Sequence, residues 1–401
     1  MRDEKLREEL RARCTALGRM LGEADLDVAL LQQTTDKYYF AGTVQQGFLA
    51  VAPEREPVFF CRKGVDRTSE ESPWQVVPLE NPKDLPGVLQ SAGLRTRRIG
   101  LEGDVLPLQL YRQMERMFPE AALEDASGAV RALRAVKSPY ELQEIRTAGA
   151  AWTEMMEETR RLLRPGVSDH EISIRVDAHG RLHGGQGLMR TRGFNFEYFA
   201  PHVLWGPPGA VPAHFDGPTG GSGPHPSIGQ GSGARPIEAG SPILCDYAVA
   251  VRGYVADGTR SFVLGRLSSE LQYAAELAGE ILAEVEEALR PGTEVGALFR
   301  MAQERAERHG LGQHFMGFGA DRVRFLGHGI GLELDELPVL TARAPGVLQT
   351  GMVVAIEPKF VFPGLGAVGV EDSFAIRDEG PAEVLTRFDR GPIVLPPEGL
   401  R

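Results

Sequence analysis

Cysteine is scarce: Cys14, Cys61 and Cys245 are the only three among 401 residues, and none stands in a Cys-x-x-Cys arrangement. A disulfide framework and a thiolate zinc site are therefore excluded as organising features, and a reducing compartment fits. Basic charge is in deficit as well. The formal net charge of -11 argues against a phosphate backbone as the main partner, so no nucleic acid is expected. Long apolar runs are missing. No stretch approaches the ~20 apolar residues needed to cross a bilayer, and the N-terminal segment MRDEKLREELRARCTALGRML is charged and helix-like, without a signal-peptide core. A soluble, cytoplasmic protein with no membrane partner is the expectation. Absent too are His-Glu-x-x-His and Gly-x-Ser-x-Gly, which removes the commonest mononuclear zinc and serine-hydrolase solutions.

What is present is ordinary globular material, 42% hydrophobic and 25% charged, in a chain long enough for two domains. The N-terminal part alternates strand-like runs (DVALLQQ, GFLAVA, EPVFFCRK) with runs of helical spacing (KLREELRARCTALGRML, LQLYRQMERMF), which is α/β character. The pattern then changes to a long run of helix formers opened by Ser138-Pro139, with Glu141 at capping-box distance. The boundary is placed there, giving domains 1–133 and 134–401. The second half carries an internal repeat. Leu163-Arg164-Pro165-Gly166 is echoed by Leu289-Arg290-Pro291-Gly292, and His183-Gly184 by His309-Gly310, at one common offset of 126 residues. Each copy reads as helix, stop, helix, then strands, so a duplicated α+β domain with one curved, helix-covered sheet is predicted. Between Trp205 and Gly233 runs a Gly- and Pro-rich segment without periodicity, read as a substrate-side loop.

The candidate chemistry lies in two hairpins. In SPILCDYAVAVRGYVADGTRSFVLG a turn near Val251-Arg252-Gly253 brings Asp246 and Asp257 roughly opposite one another, and two facing carboxylates need a shared proton or a cation. In GMVVAIEPKFVFPGLGAVGVEDSFAI, Glu357 and Glu371 are nearly symmetric about the tip, and each interrupts an apolar strand. Between the hairpins His328 is flanked by Gly327, Gly329 and Gly331, which allow close backbone approach and aim the ring inward. Four carboxylates balance two divalent cations, and oxygen ligands with one imidazole suit Mn, Co, Fe or Zn.

These residues, with LLQQTTDKYYFAG, RAVKSPYELQEIRTAG, CDYAVAVRGYVADGTRSF, GHGIGLELDELP, VVAIEPKF and VGVEDSFAI, resemble the pita-bread metallopeptidases, the family of methionine aminopeptidase, Xaa-Pro aminopeptidase, prolidase and creatinase. The resemblance implies a creatinase-type N-terminal domain and a pita-bread catalytic domain, with Asp246 chelating one metal, Asp257 and Glu371 bridging, and His328 and Glu357 on the other ion. It implies Glu357 as general acid/base, an Xaa-Pro peptide as substrate, and a homodimer. Two positions depart from the pattern. Asp335 stands where peptidases of the family have a substrate-contacting histidine, and an ionised carboxylate cannot donate that hydrogen bond. A further family histidine, upstream of the first metal aspartate, falls to His225, with His214 as the other choice. A non-peptidase enzyme on this fold, such as a creatinase-like amidinohydrolase or a lyase, and a binding protein that kept the fold are the alternatives.

Two other signals are discounted. Gly364-Leu365-Gly366-Ala367-Val368-Gly369 matches a dinucleotide-binding string, yet the sequence after it reads as a strand, so a hairpin turn is expected and no organic cofactor. Cys245, next to Asp246 on a strand, points to the opposite face and into the core.

Overall fold

The computed structural model describes residues 4–198 and 201–400, and these fall into two compact units, Met1–Arg134 with Arg192–Phe194 and Ala135–Thr191 with Asn195–Arg401. The break between Arg134 and Ala135 stands beside the boundary read at 133, while the return of Arg192–Phe194 to the first unit has no mark in the sequence pattern.

The first unit is an α/β sandwich on a six-stranded sheet. Its strands follow the order Gln75–Pro78, Val58–Cys61, Gly47–Val51, Val28–Leu31, Arg98–Leu101 and Ala122–Asp125. The strand read in DVALLQQ stops at Leu31 because Gln33 caps the next helix, its side chain accepting from the Asp36 amide at 2.7 Å.

The second unit carries the duplication. Helices Pro139–Leu162 and Asp169–Leu182 are repeated as Ser269–Ala288 and Val295–Arg308, with three of the four helix ends in each copy matching at the predicted offset. The stop between each pair is physical: Pro cannot extend the helix, and Gly166 and Gly292 take positive φ of 85° and 88°. The Ser138 capping box is formed, its hydroxyl accepting from the Glu141 amide and the Glu141 carboxylate accepting from the Ser138 amide. Each helix pair buries its apolar side under its own strands. Trp152, Met155 and Ile172 pack beneath the Pro242–Val251 and Tyr254–Leu264 hairpin; Leu277, Ile281 and Phe299 pack with Val354, Ile356 and Phe374.

The strands form a four-stranded sheet (Ile393–Leu395, Tyr254–Leu264, Pro242–Val251, His202–Trp205), a five-stranded sheet (Glu336–Thr341, Phe325–Gly329, Val353–Ile356, Asp372–Ala375, Glu383–Val384) and the hairpin Lys359–Phe362 with Gly366–Gly369. Pairing is antiparallel except at one edge, where Ile393–Leu395 runs parallel to Tyr254–Leu264. Thr259 and Glu371 join the two larger sheets through reciprocal backbone bonds of 3.2 and 3.0 Å. Behind this joint Arg260, fully buried, donates to the Glu371 carbonyl at 2.6 Å and to Asp372 Oδ1 at 2.7 Å. The joint is where the site forms.

One register detail differs from the sequence reading. The turn is two residues long, Arg252 and Gly253, with φ of 50° and 94°, the primed geometry that suits hairpins. Asp246 therefore faces Thr259, and Asp257 faces Ala248. The two aspartates are diagonal neighbours on one face, not directly opposed, because the turn centre sits one residue later than symmetry about Asp246 and Asp257 requires.

Candidate metal centre

A single rung of backbone pairing lays out the site. His202 pairs with Asp246, Asp246 with Thr259, and Thr259 with Glu371. Glu357 stands across from Glu371 in the register shared by the strand pairs on either side of them. Side chains directly opposite in antiparallel strands share a face, as do residues two apart along a strand. Asp257 therefore joins Thr259, and Lys359 joins Glu357. His328, paired with Ala355, falls on the same face. Cys245 lies on the other side of the sheet, buried in the core.

The five sequence-predicted ligands Asp246, Asp257, His328, Glu357 and Glu371 thus line one cavity, together with Tyr198, His202, Asp335 and Lys359. Within it Asp257, His328 and Glu371 each present a ligand atom, all lying within 4.8 Å of one another. Asp257 Oδ1 is buried without a hydrogen-bond partner. His328 Nδ1 lies 3.1 Å from the Gly329 carbonyl. A carbonyl only accepts, so Nδ1 carries the proton and Nε2 is the free donor atom of the neutral ring. One divalent ion fits these three residues: an imidazole nitrogen and two carboxylates, one of which has an unsatisfied buried oxygen.

Asp246 and Glu357 are turned elsewhere. The Lys359 ammonium donates to Asp246 Oδ2 at 2.8 Å, Glu357 Oε2 at 2.8 Å and Glu371 Oε2 at 3.1 Å, and the side chain is 2% exposed. Glu371 Oε2 also accepts from the Thr259 hydroxyl at 2.6 Å. A fixed positive charge thus stands among the four carboxylates that the sequence reading set against two divalent ions.

The electrostatics follow from burial and these neighbours. Burial pushes Asp257 well above the usual carboxylate range, and Glu371 and Asp246 add to the rise. Glu357 is pushed up to about 7 by burial first, with Lys359 pulling against it and Glu371 reinforcing it. Asp246 is the reverse case, since burial raises it but Lys359 and His202 bring it below its ordinary value. His328 is raised although burial favours its neutral form, because Asp335, Glu357 and Glu371 lie close. Burial, then Asp246, Asp257, Glu371 and Glu357, keeps the Tyr198 hydroxyl protonated far into alkali. That hydroxyl is buried with no partner, a donor in the cavity wall.

The two histidine assignments in the loop do not reach the cavity. His225 is exposed and its Nδ1 meets the Ser227 hydroxyl at 2.8 Å; His214 is exposed beside Phe215. The histidine next to Asp246 is His202. It sits on a short strand ahead of the loop, where alternation with Leu204 was the readable signal. The Gly/Pro-rich segment still contributes, through Phe215, Asp216, Gly217, Pro218 and Thr219 in the cavity wall. Asp335 lies 3.4 Å from His328 Nδ1, so it sits against the ligand histidine while remaining partly open to the cavity.

The family described as metallopeptidase family M24 matches residues 143–378, and the creatinase/prolidase N-terminal domain matches residues 13–136. The Xaa-Pro dipeptidase of Pyrococcus furiosus is 24% identical over 383 residues, covering 95% of this chain and 99% of that protein. An uncharacterized peptidase of Staphylococcus epidermidis is 24% identical over 382 residues, covering 93% and 98%. Among solved structures, the Xaa-Pro dipeptidase from Bacillus anthracis superposes with a TM-score of 0.81 at 24% identity, covering 96% of this chain and 100% of that one. The prolidase from Pyrococcus horikoshii OT3 superposes at 0.80 with 21% identity, covering 94% and 99%. At these identities the structural likeness speaks for the fold.

Proposed function

This chain belongs to metallopeptidase family M24, and from that premise we propose that it hydrolyses the amide bond of short peptides with proline in second position, as an Xaa-Pro dipeptidase or aminopeptidase. The observation that carries the reading is the triad Asp257, His328 and Glu371 converging within 4.8 Å at the sheet joint. The Xaa-Pro dipeptidase of Pyrococcus furiosus, which aligns over nearly its whole length, supports the substrate class.

Asp257, His328 and Glu371 would hold a divalent ion of the Mn, Co, Zn or Fe kind, which would supply a water of lowered pKa and polarise a carbonyl. The chain's own groups do the rest. Glu357, with one carboxylate oxygen on Lys359 and the other free, takes the proton from the attacking water and returns it to the leaving nitrogen. Tyr198 offers its unshared hydroxyl proton to the oxygen on which negative charge develops. Thr259 and Lys359 hold Glu371 in place from two sides. The homodimer, the cytoplasmic setting and the absence of a nucleic-acid or membrane partner belong to the same reading.

One observation favours a second reading. Asp335 places an acceptor where peptide hydrolysis by this family uses a donor, which suits a substrate that presents a cation or an N–H at that point and hence a non-peptidase reaction on the same fold. A panel of Xaa-Pro dipeptides and Xaa-Pro-led tripeptides, assayed with Mn, Co, Zn and Fe, separates the two. Metal-dependent release of the N-terminal residue is expected. Full metal loading with no cleavage of any Xaa-Pro peptide would contradict the first reading and leave the second.

A further inference from the structure

We infer that Lys359 is a built-in cation that replaces one of the two metal ions of the site, so that the centre holds a single divalent ion, between Asp257, His328 and Glu371. The inference rests on the reading of the cavity as a metal centre, and it concerns how many ions that centre takes.

Three carboxylate oxygens, from Asp246, Glu357 and Glu371, converge on one point, and the Lys359 nitrogen stands at that point at 2.8, 2.8 and 3.1 Å. An ammonium has three N–H donors and no acceptor. Three acceptors surround it, so its hydrogen bonding is complete. Taking a lysine out of water into a buried site is expensive unless charge partners and hydrogen bonds compensate, and here both do. This is a cation position filled by the chain itself.

The backbone is shaped for the side chain. Lys359 pairs directly with Gly369 across the hairpin. A Cβ built at Gly369 would lie 2.7 Å from Lys359 Cγ and 2.8 Å from its Cα, distances no real contact allows. A side chain at 369 would push the stem out of its place, and glycine keeps the path open. The lysine is anchored at the stem as well as at the tip.

Charge argues the same way, because the ammonium already offsets one of the four ligand carboxylates. A second divalent ion would share Asp246 and Glu371 with the ammonium, within a few ångströms of a like charge in a buried cavity, and would have to expel it. Displacing Lys359 would break all three of these hydrogen bonds and leave a buried ammonium to be satisfied anew. The replacement preserves the charge of a second metal and gives up its coordination chemistry, because all three N–H groups are spent on protein oxygens. Only the ion on His328 then remains to hold a water or a carbonyl.

The test is metal stoichiometry with the full-length protein loaded with Mn and desalted, read by elemental analysis and by electron paramagnetic resonance. It is run in a His183→Ala background, because Glu154, His179 and His183 form a second set of donors within 4.8 Å of one another, away from this cavity. One Mn per chain with the six-line signal of an isolated ion is expected, rising to two per chain with a spin-coupled signal in Lys359→Gly. Should Lys359→Gly not fold, the wild-type count and spectrum decide by themselves. Two coupled Mn ions in the wild-type chain, or one ion still in Lys359→Gly, would overturn the inference while leaving the metal centre intact. No Mn in either protein would overturn the metal reading with it.

Discussion

Replacement of Glu357 by glutamine should remove a specific dependence of stability on pH. In the metal-free protein the Glu357 carboxyl keeps its proton up to about pH 7, against an ordinary value of 4.5. The causes are burial first, then the opposed effects of Lys359 and Glu371. An unfolded chain releases that proton near its ordinary value. Between the two values the folded state binds more protons than the unfolded one, so the stabilising contribution is complete below about pH 4.5 and is lost as the pH rises through about 7. At about 1.4 kcal/mol per pH unit over this interval the loss is about 3 kcal/mol. Glutamine has the same shape and does not titrate. Urea unfolding in chelator, followed through the fluorescence of Trp152, which is fully buried beneath the site and donates to the Tyr247 and Gly258 carbonyls, measures the difference. The stability gap between wild type and Glu357→Gln should change by about 3 kcal/mol from pH 4.5 to 8, wild type gaining at the acid end. A gap independent of pH in chelator would refute the placement of Glu357 in a buried, crowded carboxylate cluster.

Two further outcomes are expected. Asp335→His restores a donor at the cavity edge and should raise Xaa-Pro turnover by ~10²-fold, the worth of one oxyanion donor; an unchanged kcat would mean that position 335 does not face the substrate. Arg260→Met removes the cation that ties Asp372 and the Glu371 carbonyl across the sheet joint, and should cost about 3–5 kcal/mol in unfolding free energy while leaving Asp372 with Arg390 and the Thr386 hydroxyl; a loss below about 1 kcal/mol in the urea titration would show that the joint does not depend on it.

Much of this architecture was legible in the chain. The LRPG and His-Gly echoes predict the duplicated helix pairs because Pro and Gly act locally, through a missing N–H and a positive φ, whatever the tertiary context. The acidic residues stood out because a carboxylate in an apolar strand needs a partner. Two kinds of information were harder to read. Lys359 lies two residues after Glu357 in EPKFVF, so strand alternation places it on the same face, yet a count of negative charges alone passes over it. His202 was hidden for another reason: it reaches Asp246 through strand pairing, and pairing partners distant in sequence are set by register, which a loop histidine such as His225 mimics by spacing. The one-residue error in the hairpin centre arose likewise, since Arg252 accepts a positive φ that composition does not advertise.

The most direct test is diffraction from crystals soaked in Mn or Zn, with data collected at the absorption edge of the metal. One anomalous peak is predicted in the cavity, within bonding distance of Asp257, His328 and Glu371, with the Lys359 ammonium still among Asp246, Glu357 and Glu371. Two peaks in the cavity with Lys359 swung out, or none there, would contradict it.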